Sequence, residues 1–399
     1  MLSVFIMLGL ISVLVIVHEM GHYYVARWCG VRVERFGFGL PFGPTLFRKK
    51  VGDTEFCLHA ALFGGYVSFP DDNPESPVPK DSPERFENRP LWQRAAIALA
   101  GVTVNALVGW LLMLAVVMSW GLPSMDVVMV QPLTAQSPAA KAGIVGPELL
   151  LAINGTPVQG EMGEERLRFV TQTIGAHRNE PIQVTLKALS PQEFSPKNPK
   201  ATKATQALPP NPVPRPAQWQ PGVIRTVTVT PNNEGKIGVR LGSLPKRIRP
   251  DNFSQAAGLS TRFLGNFIRM NFEALGKIFT GQMDARQLSG PIGIVTVGAK
   301  IIEQDGIEQG LILTAIISVI LAVMNLLPIP ALDGGHLLFI VLEALRGKPL
   351  QKSMQEKVVQ AGFIGLLAFM AFVLWNDIYN TWIHPVLSPN SSSDASGPP

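Results

Sequence analysis

The sequence predicts an α-helical polytopic membrane protein of about four transmembrane helices. A membrane-associated β-hairpin region follows the first helix, and one α+β domain is inserted between the second and third. Three observations predict this class. Four long stretches, residues 1–17, 95–125, 309–332 and 358–376, carry no charged side chain. Charged residues make up only 16 % of the 399, against roughly 25 % in an ordinary soluble domain. From about residue 124 to 241 the composition shifts to short strand patterns separated by turn residues.

A span needs about 20 predominantly apolar residues. The first stretch reaches that length if it continues through Val25. No basic region precedes its apolar run, which leads directly into His18, so it reads as a span and not as a signal peptide. Arg27, Arg32, Arg35, Arg48, Lys49 and Lys50 follow the first span, Arg89 and Arg94 precede the second, and Arg346, Lys348, Lys352 and Lys357 lie between the third and fourth. Basic residues near span ends mark the cytoplasmic side. Both termini and the long 124–245 segment are then exterior. This distribution accounts for the net charge of +5 without a nucleic-acid partner; the expected surroundings are the lipid bilayer. Cys29 and Cys57, the two cysteines, both fall on the cytoplasmic side, where a structural disulfide is not expected. They are too few for a thiolate cluster, so a metal site must use His and carboxylate.

The expected organisation follows. Residues 1–123 form an N-terminal membrane part with spans 1 and 2. Within it, residues 33–70, rich in Gly, aromatic and β-branched residues, form short strands and hairpins near the membrane surface, with turns at Gly43-Pro44 and Gly64-Gly65. Residues 124–245 form the exterior domain, with a short helix around Ala139 to Ala142. A Pro-, Ala-, Lys- and Gln-rich stretch at 190–222 reads as a disordered insertion in it. Residues 246–387 form the C-terminal membrane part. It starts with an amphipathic segment from Phe263 to Gln282, followed by an apolar stretch at 288–299 whose Gly and Pro read as a surface or partly inserted loop. Residues 388–399 read as a disordered tail.

The chemistry centres on "HEMGH", His18 to His22. Residues four apart share a helix face, so both imidazoles can address one ion. Glu19 beside them is a candidate general base. Zn²⁺ suits two imidazoles and a carboxylate, with a fourth position open. The placement inside a span raises the specificity of a short motif, because ionisable groups there are costly. Asp333 is the candidate third ligand. It ends the third apolar stretch in "NLLPIPALDGGH", where Pro328 and Pro330 interrupt the helix, and His336 is a rival three residues on.

These two motifs, in this order on separate spans, resemble those of the site-2 protease family of intramembrane metalloproteases, in its bacterial PDZ-containing branch. "LFGGYVSF" is similar to that family's membrane-surface β-hairpin. "AGVTVNALVG", with Gly101 and Asn105, is similar to its glycine-to-asparagine motif, although Val102 stands where relatives commonly have Pro. "LSGPIGI" and the PDZ-like "SPAAKAG…INGTPV" also match. The resemblance implies zinc held by His18, His22 and Asp333, with Glu19 as catalytic base. It implies that Asn105 and Asn325 hold substrate or polarise the scissile carbonyl. It implies one PDZ-like domain in the exterior segment. A strand edge around Gly64, Gly65, Tyr66 and Val67 could receive an unwound substrate. The implied activity is zinc-dependent endopeptidase cleavage of single-span membrane proteins, such as anti-sigma factors or signal-peptide remnants, in the bacterial cytoplasmic (inner) membrane. A secondary transporter, or a membrane-tethered PDZ scaffold, is the alternative of another class. The first predicts an internal repeat that is not seen; the second leaves both motifs without a purpose.

Overall fold

A computed structural model of the protein describes residues 2–39, 44–60, 64–160, 163–190, 220–282 and 290–379. The chain divides into two compact units, one of Met1–Val116 with Ser260–Pro399 and one of Val117–Leu259. Most of the Pro-rich stretch and the 388–399 tail lie outside the described residues.

In the first unit, α1 (Leu2–Trp28) is one uninterrupted helix. It stops where Gly30 takes a left-handed conformation, φ +73°, and the Arg89 guanidinium donates to the Gly30 carbonyl, a partner for the negative end of the helix dipole. The next long helix, α2 (Leu91–Trp120), starts directly after Pro90 and ends at Gly121, φ +82°. Between α1 and α2 lie β1 (Arg35–Phe38), β2 (Thr45–Val51), β3 (Thr54–His59) and β4 (Gly65–Ser68). They form one sheet in the order β2-β3-β1-β4.

That order corrects a local expectation. β2 and β3 pair as an antiparallel hairpin, but β4 does not pair with β3. β1 lies between them, parallel to β3 and antiparallel to β4. β4 is therefore an edge strand held by a partner about thirty residues earlier, Gly37 opposite Tyr66 and Phe38 opposite Gly65. Gly37 is needed at that step, because any Cβ there would enter the Tyr66 ring.

The second unit contains β5 (Leu122–Pro132), α3 (Pro138–Lys141), β6 (Glu148–Ile153), β7 (Thr156–Pro157), α4 (Gly163–Ala176), β8 (Ile182–Ala188), β9 (Ile224–Val229) and β10 (Val239–Ile248). The sheet order is β10-β5-β6-β8-β9, with β7 on β6, and every pairing is antiparallel. Alternation decides which side is buried: Ile182, Val184 and Leu186 of β8 join Val127, Met129, Leu150, Ile153, Val170 and Ile174 in one core. The fully buried Glu148 is matched by two hydrogen bonds from Arg225. The Pro-rich stretch connects β8 to β9.

The chain returns to the first unit along α5 (Phe253–Phe279), which Trp110 Nε1 of α2 ties by a 2.9 Å bond to Thr261 Oγ1. α6 (Pro291–Asp305) is a second correction: within the stretch read as a loop, residues 291–299 are helical. Proline is well tolerated at the first helical position, and the free N–H groups at this end meet a carboxylate from far away. Asp377, in the last helix, accepts from Gly290 and Gly293 N–H at 2.9 Å each. Then come α7 (Ile307–Leu326), α8 (Asp333–Arg346) and α9 (Lys352–Ile378). α1, α2, α7 and α9 are four helices long and apolar enough to cross a membrane. At 27 residues, α1 is about 40 Å long, more than the roughly 30 Å hydrocarbon layer. Both cysteines are buried and free.

Candidate metal centre

Four helices and one strand converge on the site. α1 carries His18, Glu19 and His22. α2 crosses α1 closely: a Cβ on Gly21 would lie 2.8 Å from the Ala100 carbonyl oxygen. Small residues at such crossings let helix backbones approach. Gly101, the next residue, faces both imidazoles, and any side chain there would press into His22 Nε2 and sit 2.6 Å from His18 Cε1. Glycine at 101 is therefore the space in which the two rings lie.

α7 and α8 supply the carboxylate. α7 ends at Leu326 because Pro328 and Pro330 cannot continue it. The chain doubles back through Ala331, at φ +80°. Gly334 and Gly335 then fit so closely under the carbonyls of Leu326, Leu327 and Ile329 that a Cβ at either would collide with them. The return places Asp333 at the start of α8 with Oδ2 3.2 Å from His18 Nε2 and 3.4 Å from His22 Nε2. The two Nε2 atoms are 3.2 Å apart. Farther along α8, Glu343 receives both bonds of a paired contact from Arg94 Nη1 of α2, at 2.9 and 3.1 Å.

The triangle tests the fit to zinc. Donors around a tetrahedral ion at about 2.0–2.1 Å lie about 3.3–3.4 Å from one another, close to the three separations found. Asp333 Oδ2 is buried and has no hydrogen-bond partner among the described residues, as expected of an oxygen that faces a cation. The tautomer of His22 also agrees. Its Nδ1 is 2.8 Å from the Ile97 carbonyl, and a carbonyl only accepts, so Nδ1 carries the proton and Nε2 presents its lone pair. Among the described residues, His18, His22 and Asp333 are the one group of His, Cys, Asp and Glu with metal-binding spacing. His336 is exposed and outside this group.

Glu19 follows His18 on α1 and its Cγ lies under β4, 2.7 Å from where a Gly65 Cβ would be. Only glycine allows β4 to come so near. Gly64 turns the chain into the strand at φ +79°. Tyr66 on the opposite face of β4 is 3.0 Å from His59 Nε2. Asn325 Nδ2 is half-buried and 3.4 Å from His18 Nε2, on the donor side. Asn105 is 1 % exposed, and its Nδ2 is 3.4 Å from His18 Nδ1, on the far side of the ring. The sequence reading did not identify the Ile97 carbonyl, the Arg94–Glu343 pair or Ser318, whose Oγ donates to the Asn105 carbonyl at 2.7 Å. A main-chain acceptor leaves no residue signature. Glycines in apolar helices, Gly21 and Gly109 among them, were the available sign of close crossings.

The model of Peptidase family M50 matches residues 6–369. The chain belongs to peptidase family M50. A protein of Nostoc sp. named "Putative zinc metalloprotease" is 33 % identical over 382 residues, covering 94 % of this chain and 95 % of the relative. One of Synechocystis sp. with the same description is 32 % identical over 376 residues, covering 94 % and 93 %. The chloroplastic "Membrane metalloprotease ARASP" of Arabidopsis thaliana is 29 % identical over 392 residues, covering 94 % and 78 %. This M50 peptidase is thus a zinc-dependent membrane metalloprotease.

Proposed function

We propose that this peptidase cuts within transmembrane segments of single-span membrane proteins, as an intramembrane endopeptidase of the bacterial cytoplasmic membrane. The observation that carries the reading is the donor triangle of His18, His22 and Asp333: both histidines sit on α1, which is long and apolar enough to span a bilayer, and the carboxylate follows α7, which is too. These three residues are the ligands in this reading. Bound zinc supplies Lewis acidity there, polarising a carbonyl and lowering the pKa of water to about 7. Glu19 accepts a proton from the attacking water and returns it to the leaving amide nitrogen as the C–N bond breaks. Asn325, near the donor side, is the candidate to hold the scissile carbonyl.

A helical substrate has its peptide groups already hydrogen-bonded. Unwinding exposes those groups, and an added strand restores their bonds. β4 suits this role because it is a sheet edge with Gly65 against Glu19. Residues Gly64 to Val67 thereby offer backbone partners beside the proposed base. The α+β unit, read as one PDZ-like domain, is inserted in the chain between two spans. In this reading it admits trimmed substrates and excludes those with bulky exterior domains.

Metal analysis of purified variants tests the site. His18→Ala, His22→Ala and Asp333→Ala are expected to lose zinc. Glu19→Gln is expected to retain about one zinc per chain and to lose cleavage of a reconstituted single-span substrate. Full zinc occupancy in Asp333→Ala would remove that residue from the ligand set.

A further inference from the structure

We infer that Asn105 is a positioning residue for His18. It accepts the Nδ1 proton through its side-chain oxygen and so keeps the Nε2 lone pair directed at the donor triangle. This inference rests on the reading of His18 as a zinc ligand.

The argument starts from an asymmetry between the two imidazoles. An imidazole that ligates through Nε2 carries its proton on Nδ1, and that proton needs an acceptor. For His22 the acceptor is the Ile97 carbonyl at 2.8 Å. For His18 the Asn105 carboxamide lies at Nδ1, 3.4 Å away. Nδ2 facing Nδ1 would make Nδ1 an acceptor and leave a proton on Nε2. That proton would occupy the space between His18 Nε2, His22 Nε2 and Asp333 Oδ2, which are 3.2 to 3.4 Å apart. Asn105 Oδ1 meanwhile has no donor among the described residues, although it is buried. A half-turn of the carboxamide exchanges the two ends. It brings Oδ1 to Nδ1 and gives this acceptor its donor.

The surroundings hold the residue where this role needs it. The Asn105 carbonyl accepts from Ser318 Oγ of α7 at 2.7 Å, and Ser318 is fully buried. One turn on, a Cβ at Gly109 would lie 2.8 Å from the Ala315 carbonyl oxygen, so α2 and α7 are in close contact there. At 1 % exposure, behind the ring, Asn105 is placed to act on His18 and not on a peptide entering at Nε2.

The test uses the full-length protein and reads zinc affinity by competition with a chelator, separately from cleavage. Asn105→Leu keeps the approximate side-chain volume and has no acceptor. Its affinity is expected to fall about 10- to 100-fold, the usual effect of losing such a partner. Asn105→Asp retains the acceptor and is expected to stay within a few-fold of the parent. Far-ultraviolet circular dichroism of each metal-free variant checks folding. If Asn105→Leu binds zinc as the parent does and only its KM or kcat changes, the positioning role is rejected in favour of a substrate contact. Equal losses in the Leu and Asp variants also reject it. His18→Ala separates the two readings. If it keeps zinc, the metal-site reading fails. If it loses zinc while Asn105→Leu does not, only the inference about Asn105 fails.

Discussion

Replacing Gly101 with alanine should loosen the metal centre without touching any candidate ligand. The new Cβ would lie 2.6 Å from His18 Cε1 and 2.8 Å from His18 Nδ1, and nearer still to His22 Nε2. Carbon contacts settle at about 3.5–4.0 Å, so the rings must withdraw by about 1 Å. Extra volume in a close-packed site costs about 1–3 kcal/mol. Without metal the rings relieve that strain by rotating. With both Nε2 atoms held to one ion they cannot, so most of the cost falls on the metal-bound form. At 1.4 kcal/mol per factor of ten, zinc affinity should drop about 5- to 150-fold. Chelator competition on detergent-purified protein measures it. Gly9→Ala is the control: it is on the same helix as the histidines, with nothing within 4 Å of its Cβ position, and should change nothing. If Gly101→Ala binds zinc within two-fold of the parent, glycine 101 is not what makes room for the rings.

Further outcomes are expected elsewhere. The buried native cysteines are poor labelling probes, so topology is best read with single cysteines at exposed sites. Asn233→Cys should react with an impermeant maleimide on intact cells, and Lys50→Cys and Arg346→Cys only after permeabilisation; outside labelling of Lys50→Cys contradicts the orientation. Glu343→Ala leaves the Arg94 guanidinium, 12 % exposed, without its carboxylate. It should cost about 2 kcal/mol, seen as a lower thermal midpoint in detergent, with part recovered in Arg94→Met/Glu343→Leu. Replacing residues 124–241 with a short linker should leave zinc bound and allow untrimmed substrates to be cut; loss of cleavage of trimmed and untrimmed substrates alike, with zinc retained, would count for recruitment by the domain instead.

Local patterns were legible in the sequence where one element acts alone. The 3.6-residue period brings His18 and His22 to one face, and the uncharged stretches foretold helices of spanning length. Pro328 and Pro330 announced the break before Asp333. Features set by distant partners were not legible. The Gly64-Gly65 turn gave no sign that β4 would pair with β1 instead of β3. The stretch containing Pro291 read as a loop because its cap, Asp377, lies 87 residues beyond Gly290. For Asn105 the motif gave the residue but not its orientation, which depends on the His18 ring at its tip.

The donor triangle also has a consequence for synthesis. His18 and His22 leave the ribosome with α1, whereas Asp333 is made after three of the four long apolar helices found among the described residues. No shorter nascent chain can close the triangle. Until Asp333 is made, α1 therefore carries a pair of histidines without their carboxylate. A chain that stops short of Asp333 holds two of the three candidate ligands and cannot form the triangle. Dividing the site between α1 and α8 makes synthesis through Asp333 a condition for assembling the three donors.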